Sequence, residues 1–488
     1  MGCGQVTAPE TSQPPEPYRF RGRHITVAGL GVSGLPAARA LHGLGAHVTV
    51  VNDGDDDRAR TQAAGLEELG ITVRLGEQAA SILPEGTELV VTAPGWKPGK
   101  PLFAAAEQAG VPIWGDVELA WRLRGQGAPP WLAVTGTNGK TTTVRMLASI
   151  LGAAGLRTAA VGNIGVSLLD AVLGDEPYDV LAVELSSYQL HWSSSVRAHS
   201  AAVLNLAPDH LDWHGSMEAY AADKGRVYEG NRIACVYNAD ATDKPSTEDL
   251  VREADVQEGC RAVGFTLGTP GPSQLGVVDG ILVDRAFVED RQGSARELAE
   301  VADVDPPAPH NIANALAAAA LARAYGVPAA AVRDGLRAFT PDAHRIAHVA
   351  DVDEVAWVDD SKATNTHAAQ ASLAAYESIV WIAGGLAKGA VFDELVAGSA
   401  KRLRGVVLIG ADRALIREAL ARHAPEVPVV DLARTDTGAM LQAVQEAKRL
   451  ARPGDTVLLA PACASMDMFA NYNRRGEAFA QAVRELGA

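Results

Sequence analysis

A glycine-lysine-threonine stretch between an apolar run and a predicted helix is the clearest chemical signal in this sequence. The segment WLAVTGTNGKTTTVRML occupies residues 131–147. Glycines let backbone N–H groups close around phosphate oxygens at a helix N-terminus, where Lys140 reaches the outer phosphates and Thr141 offers a hydroxyl to Mg²⁺. The common phosphate loop has another glycine five residues before its Gly-Lys pair, where this chain has Val134. The pattern therefore predicts a shortened nucleotide-phosphate loop.

A second glycine turn, GLGVSG at 29–34, follows the apolar run HITVA near the start of the chain. With Asp53 at the end of the next predicted strand, it has the form of a dinucleotide-binding fingerprint, in which a diphosphate rests on a helix N-terminus. The motif indicates a phosphate-bearing ligand, with Asp53 near a ribose or a base. By itself it is a weak signal, and it does not specify nicotinamide.

Polar residues end the apolar strands that follow the phosphate loop. Glu184 closes DVLAVE, Asp209 and His210 come after AAVLNL, and Lys224 lies in a predicted helix. Ligand sites of parallel sheets lie at the carboxyl ends of the strands, and carboxylate and hydroxyl oxygens suit Mg²⁺. Taken singly, Glu184 is also consistent with the start of a helix, and the pattern around Lys224 by itself favours an exposed lysine.

Two further strand-to-helix turns lie in the last third of the chain. They are DDSKATN at 359–365 and PACASMDMFANYNRRG at 461–476. The side chains of Lys362, Thr364 and Ser465, with the backbone around them, are suited to binding a carboxylate. Each stretch by itself is also consistent with an ordinary turn.

These residues are spread over three blocks in which strands and helices alternate. Alternation of this kind predicts an α/β fold with mostly parallel sheets covered by helices. We expect a flexible tail at 1–23, a Rossmann-like domain at 24–118, a central phosphate-loop domain at 119–341 and a second Rossmann-like domain at 342–488. Third-block strands are predicted at VAWVDDS, SIVWIAGG, GVVLIG and DTVLLAPA.

Composition narrows the class of protein. A chain of 488 residues is too long for one core, and its net charge of -16 argues against general binding of nucleic acid or anionic membranes. The four cysteines have no CxxC spacing and no accompanying histidine cluster, which favours a reducing cytosol. The N-terminus lacks the apolar core of a signal peptide, and no apolar run is long enough to span a membrane. We therefore expect a cytoplasmic protein.

The motifs occur together in an order that resembles the ATP-dependent Mur ligase superfamily, which includes folylpolyglutamate synthase. They are GTNGKTT, GNIG at 162–165, ELSSYQL, NLAPDHLDWHG and HNIANALAA. The resemblance covers nearly all of the chain after the tail. DDSKATN and PACASMDMF are similar to the branch that adds D-glutamate to UDP-N-acetylmuramoyl-L-alanine, which supplies peptidoglycan precursors.

The resemblance implies a reaction and its cofactors. ATP phosphorylates a substrate carboxylate, the amine of D-glutamate attacks the acyl phosphate, and ADP and phosphate are released. Two Mg²⁺ ions are implied, one held by Thr141 and Glu184 and the other by His210 with Lys224. The lysine matching Lys224 is carbamylated in this family, which turns a cation into an anionic oxygen ligand. The implied catalytic residues are Lys140, His210 and Lys224.

The resemblance also implies which residues bind each substrate. ATP is assigned to Gly136, Thr137, Asn138, Gly139, Lys140, Thr141, Thr142, Asn311, Asn314, Arg345 and Asp360. The UDP part of the sugar nucleotide is assigned to Val32, Ser33, Asp53 and Gly95, and its reacting end to Asn163. D-glutamate is assigned to Lys362, Thr364, Lys388, Ser465, Met466 and Tyr472.

Three alternatives remain open at this point. Another ligase of the superfamily, such as one like folylpolyglutamate synthase, is the nearest. An NAD-dependent oxidoreductase would explain GLGVSG but would leave the phosphate loop and Glu184 without a purpose. A non-catalytic ATP-binding regulator is the third, although Lys140 and the metal residues are all intact. We also expect a monomer, with hinge closure of the third block onto the second.

Overall fold

Three separate β-sheets, each flanked by helices, make up the protein, and this confirms the predicted three-part α/β fold. The computed structural model describes residues 20–125, 127–174, 176–242, 244–341 and 344–486. Most of the predicted tail, residues 1–19, lies outside these ranges. The end of that tail does not behave as predicted, because Phe20 is only 6% exposed and the Gly22 amide donates to the Gly45 carbonyl. The first domain therefore includes Phe20, whose ring packs into its core.

The first domain is a five-stranded, fully parallel sheet in the order β3-β2-β1-β4-β5. Four of the five residues of its central strand are buried because helices cover both of its faces. The elements are β1 (His24–Ala28), α1 (Gly34–Gly43), β2 (His47–Asn52), α2 (Asp57–Glu67), β3 (Thr72–Leu75), β4 (Leu89–Thr92), α3 (Pro101–Gln108), β5 (Ile113–Gly115) and α4 (Asp116–Leu123).

The helix α4 joins the first domain to the second. The predicted domain boundary between 118 and 119 falls inside this helix. The buried Glu118 carboxylate accepts hydrogen bonds from the Ser194 and Ser195 amides and from the Ser195 hydroxyl. It also pairs with Arg122 at 2.6 Å. The helix α4 therefore follows the last strand of the first domain and also forms hydrogen bonds to the middle domain.

The middle domain has a nine-stranded sheet in the order β14-β13-β12-β11-β10-β9-β6-β8-β7. Seven strands, β6 to β12, are parallel to one another, and β13 is antiparallel to both of its neighbours, β12 and β14. The elements are β6 (Trp131–Thr135), α5 (Lys140–Ala153), β7 (Thr158–Gly162), α6 (Leu168–Leu173), β8 (Val180–Glu184), α7 (Ser187–His191), β9 (Ser200–Val203), α8 (Leu211–His214), α9 (Met217–Gly225), β10 (Ala234–Asn238), α10 (Thr247–Glu253), β11 (Arg261–Phe265), β12 (Gln274–Val278), β13 (Ile281–Asp284), β14 (Arg296–Glu300), α11 (Pro309–Ala324) and α12 (Ala329–Ala338).

An alanine-rich helix, α11, sets the position of α5 and therefore of the phosphate loop. Every residue from 315 to 322 in α11 is completely buried, and six of these eight residues are alanine. Small side chains allow a helix backbone to approach its neighbours closely on every side. α11 packs against α5 in a hydrophobic core of the middle domain.

The C-terminal domain is a six-stranded sheet in the order β15-β16-β20-β17-β18-β19, and only β15 is antiparallel to its neighbour. The four strands predicted in this block are all present. The elements are β15 (Ala347–Val352), β16 (Val355–Asp359), α13 (Thr366–Ala374), β17 (Ile379–Gly384), α14 (Asp393–Ser399), β18 (Leu403–Ile409), α15 (Arg413–His423), β19 (Val429–Asp431), α16 (Ala439–Leu450), β20 (Thr456–Leu459) and α17 (Tyr472–Leu486). Within the described ranges, each helix is too short or too polar to cross a lipid bilayer.

The contact of α12 with α5 gives a test of this packing. A Cβ atom at Gly335 would lie 2.4 Å from the Ile150 Cα atom, so Gly335→Ala must push the two helices apart. We expect the free energy of unfolding to fall by about 1–3 kcal/mol, measured by urea denaturation. Gly152→Ala is the matched control, because Gly152 lies in α5 with open space around it. That substitution should raise stability by about 0.5–1 kcal/mol, and an equal loss in both variants would contradict the packing argument.

Candidate functional site

The phosphate-loop segment connects β6 to α5, as the sequence predicted. β6 ends at Thr135 and α5 begins at Lys140, so the loop is 136–139. Gly139 has φ +82°, and a Cβ atom there would lie 2.3 Å from Asn314 Oδ1. Both the backbone conformation and the lack of space explain why only glycine fits before the helix. The N-terminus of α5 therefore opens toward α11 with its backbone N–H groups available for an anion.

A cavity of about 470 Å³ lies above this loop, between the middle and C-terminal domains. It brings together ten of the eleven residues to which the sequence assigned ATP, from positions far apart in the chain. These are Thr137, Asn138, Gly139, Lys140, Thr141, Thr142, Asn311, Asn314, Arg345 and Asp360. The eleventh, Gly136, is not in the cavity wall, and its carbonyl instead accepts hydrogen bonds from two lysines.

Those two lysines lie side by side, Lys140 half-buried in the cavity wall and Lys224 fully buried. Lys140 Nζ donates to the carbonyls of Gly136 and Thr137, both at 2.8 Å. Lys224 Nζ donates to the same Gly136 carbonyl at 2.9 Å, and its side chain is 1% exposed. Burial lowers the pKa of Lys140, and burial together with the nearby Lys140 charge lowers the pKa of Lys224 well below its usual range. Proximity of two cations in a dry site favours a neutral amine at one of them.

Glu184 ends β8 beside the same loop, and its carboxylate has room for a cation. One oxygen, Oε1, accepts from Asn163 Nδ2 at 2.9 Å, whereas Oε2 is buried without a hydrogen-bond partner. A buried carboxylate oxygen with no donor is costly unless a ligand or ion satisfies it. Glu184 and Thr141 both line the cavity, so the carboxylate and the hydroxyl fit a hard divalent cation there.

His210 lies at the start of α8 in the left-handed conformation, with φ 55°. Its Nε2 is 3.5 Å from Asp209 Oδ2, and burial lowers its pKa, which favours the neutral, metal-binding imidazole. Across the described ranges, no group of three or more His, Cys, Asp or Glu side chains is arranged to hold a metal ion. The predicted metal residues would therefore need oxygen ligands from the nucleotide or from a modified lysine.

A second cavity, of about 220 Å³, lies between the first and middle domains. Its wall contains Val32, Ser33 and Asn163, three of the residues assigned to the sugar nucleotide. It also contains Asp116, which the sequence analysis missed. Asp116 Oδ2 accepts from Ser33 Oγ and from Gln189 Nε2, so this carboxylate joins the first glycine turn to α7. Burial raises the pKa of Asp116, and its Oδ1 has no hydrogen-bond partner.

The other two residues assigned to UDP lie outside both cavities. Asp53 forms an ion pair with Lys100 at 2.8 Å, and this hydrogen bond lowers its pKa. The Gly95 carbonyl accepts from Trp213 Nε1, which links this loop to α8. These contacts place Asp53 and Gly95 on the rim of the first domain, at the carboxyl ends of β2 and β4.

The residues assigned to D-glutamate lie in two groups on the C-terminal domain. Lys362 and Thr364 line the larger cavity, and Lys362 Nζ is 4.0 Å from the centre of the Tyr472 ring. Lys388 and Ser465 belong to loops joined by an antiparallel bridge between Leu386 and Ala464. Met466, next to Ser465, is 63% exposed. Of the residues assigned to D-glutamate, only Lys362 and Thr364 therefore lie in the wall of the larger cavity.

Direct hydrogen bonds also join the phosphate loop to the C-terminal domain. Asn365 Nδ2 donates to Asn138 Oδ1 at 3.2 Å, and Asn138 Nδ2 is 3.0 Å from His367 Nδ1. The sequence analysis missed His367 because a histidine one turn into a predicted helix carries no signal of a contact 229 residues away. The motif DDSKATN predicted the turn, but not what it touches.

Comparison with known families identifies the class of protein that this fold and site define. The chain matches the models for a Mur ligase MurD-like N-terminal domain at 23–115, the Mur ligase middle domain at 134–322 and the Mur ligase glutamate ligase domain at 344–463. Together the three models cover more than half of the chain, one on each sheet. The chain belongs to the Mur ligase family.

Individual relatives are more specific. The UDP-N-acetylmuramoylalanine–D-glutamate ligase of Streptomyces coelicolor is 84% identical over 97% of this chain and 100% of its own length. The ligase of the same name from Thermobifida fusca is 62% identical over 96% of this chain and 99% of its own length.

Solved structures share the fold at low sequence identity. A pseudomurein peptide ligase type C from Methanothermus fervidus is 16% identical, with a TM-score of 0.57 over 95% of this chain and 100% of that one. The UDP-N-acetylmuramate-alanine ligase of Thermotoga maritima is 18% identical, with a TM-score of 0.54 over 95% and 99% of the two chains. At this level of identity they support the architecture alone.

Asp360, in the wall of the larger cavity, gives a pH-dependent prediction. Burial raises its pKa from 3.8 to about 6. Because the folded state binds this proton more tightly than the unfolded state, its contribution to the free energy of unfolding falls as pH rises from about 4 to above about 6, by on the order of 2–3 kcal/mol. The free energy of unfolding is measured by urea denaturation at pH 4 and at pH 7.5. We expect its decrease between these two pH values to be smaller in Asp360→Asn by this amount. Parallel pH profiles for the two proteins would contradict the assignment.

Proposed function

We propose that this chain joins D-glutamate to UDP-N-acetylmuramoyl-L-alanine, with conversion of ATP to ADP and phosphate, in peptidoglycan precursor synthesis. The observation that carries the proposal is the 84% identity, over nearly the whole chain, to a ligase named for that reaction. The geometry is consistent with it, since one cavity unites the phosphate loop with the turn at 359–365. The chain is an ATP-dependent acid–D-amino-acid ligase.

ATP occupies the larger cavity in this proposal. Its β- and γ-phosphates lie on the N-terminus of α5, where backbone N–H groups and the Lys140 ammonium neutralise their charge. To bind them, Lys140 exchanges its bonds to the loop carbonyls for phosphate oxygens. The adenine and ribose then bind between α11, through Asn311 and Asn314, and the facing domain, through Arg345 and Asp360.

The Thr141 hydroxyl and the unpaired oxygen of Glu184 would hold Mg²⁺, which would supply charge neutralisation for phosphoryl transfer. A second site uses His210 and Lys224. For Lys224 to contribute, its neutral Nζ attacks CO₂, a C–N bond forms and one proton leaves, which gives an anionic carbamate. The lowered pKa of Lys224 supports this step, because only the unprotonated amine is nucleophilic.

The chemistry requires activation of a carboxylate. Oxide is a poor leaving group, so the substrate carboxylate attacks the γ-phosphorus, and ADP leaves to give an acyl phosphate. The amine of D-glutamate then attacks the carbonyl carbon, loses a proton and expels phosphate as the amide forms. The enzyme contributes mainly by positioning the reactants and neutralising charge.

The two cavities lie on opposite sides of Asn163 and therefore suit the two ends of one long substrate. Asn163 lines both, and its amide donates to Glu184. The sugar nucleotide lies along the first domain, with its uridine near Asp53 and Gly95 and its sugar near Ser33. Its carboxylate then meets the phosphate loop beside Asn163. The face formed by Lys362, Lys388 and Ser465 provides cations and donors for the carboxylates of D-glutamate.

Three further statements belong to this proposal. The enzyme works in the cytoplasm, where nucleotide-linked substrates and ATP are present, and it acts as a monomer. Another amino-acid-adding Mur ligase is the remaining alternative, and the names of the close relatives do not favour it. The first glycine turn falls in a Mur ligase N-terminal model, which removes the basis for an NAD-dependent oxidoreductase.

One assay separates these functions. Phosphate release from ATP is measured with UDP-N-acetylmuramoyl-L-alanine and, in separate reactions, D-glutamate, L-glutamate or meso-diaminopimelate. We expect release that depends on D-glutamate and on the sugar nucleotide. A preference for another amino acid would support a different ligase, and ATP binding without any release would support a regulator.

Lys140→Ala tests the phosphate role of the loop. The substitution should reduce turnover by at least about 100-fold, because the loss of a pre-positioned charged donor typically costs that much. The fold should be retained, since Lys140 makes its hydrogen bonds only to the loop itself. Turnover and circular dichroism are measured on the same preparation. Retained turnover in a folded variant would exclude the proposed role.

A further inference from the structure

We propose that His214 is a positioning residue that holds the three segments carrying Glu184, His210 and Lys224 in one fixed arrangement. This inference rests on the proposed function, because it concerns the residues that would hold Mg²⁺. It depends on a buried chain of hydrogen bonds, Ser187–His214–Asp223, which we call the tether. None of its three members lines either cavity.

The tether is continuous and closed to solvent. Ser187 Oγ lies 3.0 Å from His214 Nε2, and His214 Nδ1 lies 2.9 Å from Asp223 Oδ2. Asp223 also accepts from His191 Nδ1 at 2.9 Å and pairs with Arg226 at 3.3 Å. The His214 side chain is 0% exposed, and Ser187 is 3% exposed. In a site this dry each hydrogen bond has a well-defined geometry.

Each member of the tether lies on the same short segment as one predicted metal residue. Ser187 begins α7, three residues after Glu184, the last residue of β8. His214 ends α8, the helix that begins after His210. Asp223 directly precedes Lys224 in α9. One imidazole therefore connects all three segments through its two nitrogens.

Short helices explain why such a connection is needed. The helix α7 has five residues and α8 has four, so most of their backbone groups lack hydrogen bonds within the helix. Neither is stable without tertiary contacts. Glu184 is positioned by its pairing in the sheet with Val134 and Gly162. The position of His210 depends on what α8 binds, and His214 joins α8 to α7 and α9.

The same geometry resembles a serine-histidine-aspartate nucleophile, and burial argues against that role. A hydrolytic serine must meet a substrate carbonyl, with donors placed for the resulting oxyanion. Ser187 is 3% exposed and lies outside both cavity walls, so no carbonyl can approach its Oγ. The tether therefore has a structural role, and it acts on the predicted metal residues that lie on the same three segments.

Binding of Mn²⁺ to the full-length protein with ADP, measured by electron paramagnetic resonance, tests the tether without relying on turnover. Three substitutions break it at different points. Ser187→Ala removes only a hydroxyl. His214→Asn leaves a group able to reach Asp223 but not Ser187, and His214→Gln leaves the opposite pairing. Ser193→Ala is the matched control, because Ser193 is a buried serine just after α7 that donates to the Gln189 carbonyl outside the tether.

We expect each tether variant to weaken Mn²⁺ binding by about 10-fold or more, as is typical when a group that orients a metal ligand is removed. Ser193→Ala should bind as the unsubstituted protein does. If His214→Asn and His214→Gln do not fold, Ser187→Ala decides the result, since deleting one hydroxyl leaves the packing almost unchanged. Tether variants that lose thermal stability but bind Mn²⁺ like Ser193→Ala would overturn the proposal, as would an unsubstituted protein that binds no Mn²⁺.

Failure of this proposal is distinguishable from failure of the proposed function. Phosphate release that ignores D-glutamate would refute the ligase assignment and leave the Mn²⁺ comparison interpretable. Normal D-glutamate-dependent release, with equal Mn²⁺ affinity in all variants, would refute the tether alone.

Discussion

The site is organised around one carbonyl oxygen, that of Gly136, which accepts hydrogen bonds from the half-buried Lys140 and the buried Lys224. Two ammonium groups that share one acceptor repel each other, and water that would screen them is largely excluded. The carboxylates of Glu184 and Asp209 raise the pKa of both lysines, and Asp223 also raises that of Lys224, so they oppose part of this repulsion. The Lys140 ammonium and the N-terminus of α5 make the loop suited to an anion. Burial, together with the nearby Lys140 charge, lowers the pKa of Lys224.

The surrounding architecture keeps that charge in place. Strand β6 delivers the loop, α11 closes on it with alanine side chains, and Asn314 fills the space beside Gly139. Because the α11 backbone can come close only where side chains are small, the alanines are part of how the loop is held. The C-terminal domain then covers the cavity through the contacts of Asn138 with Asn365 and His367.

The junction between the first two domains also depends on charged groups at a helix N-terminus. Two carboxylates, the buried Glu118 and the half-buried Asp116, occupy the first turn of α4 and bind groups of the middle domain. A helix N-terminus favours negative charge, which offsets part of the cost of burying them. These contacts hold the first glycine turn in a defined position relative to Asn163.

Much of the fold and part of the site could be predicted from sequence order alone. Strands ending in polar residues, the Gly139–Lys140 turn and the motif DDSKATN are local patterns, and the structure has the expected elements at each. The hairpin of β12 and β13 also had a signal that the analysis did not use. Asp279 and Gly280, with φ of 49° and 78°, form a two-residue turn of the kind that Asp-Gly favours.

Tertiary structure alone decided which of these patterns meet. The sequence determined that Lys140, Glu184, His210 and Lys224 are present, and it assigned no surroundings to Ser187, His214, Asp223 or Asp116. The contacts of these four residues join segments up to 83 positions apart, and a side chain in a short helix carries no local record of its partner. Burial and the proximity of charges, which shift the pKa values of Lys224 and Asp360, likewise exist only after the domains have packed.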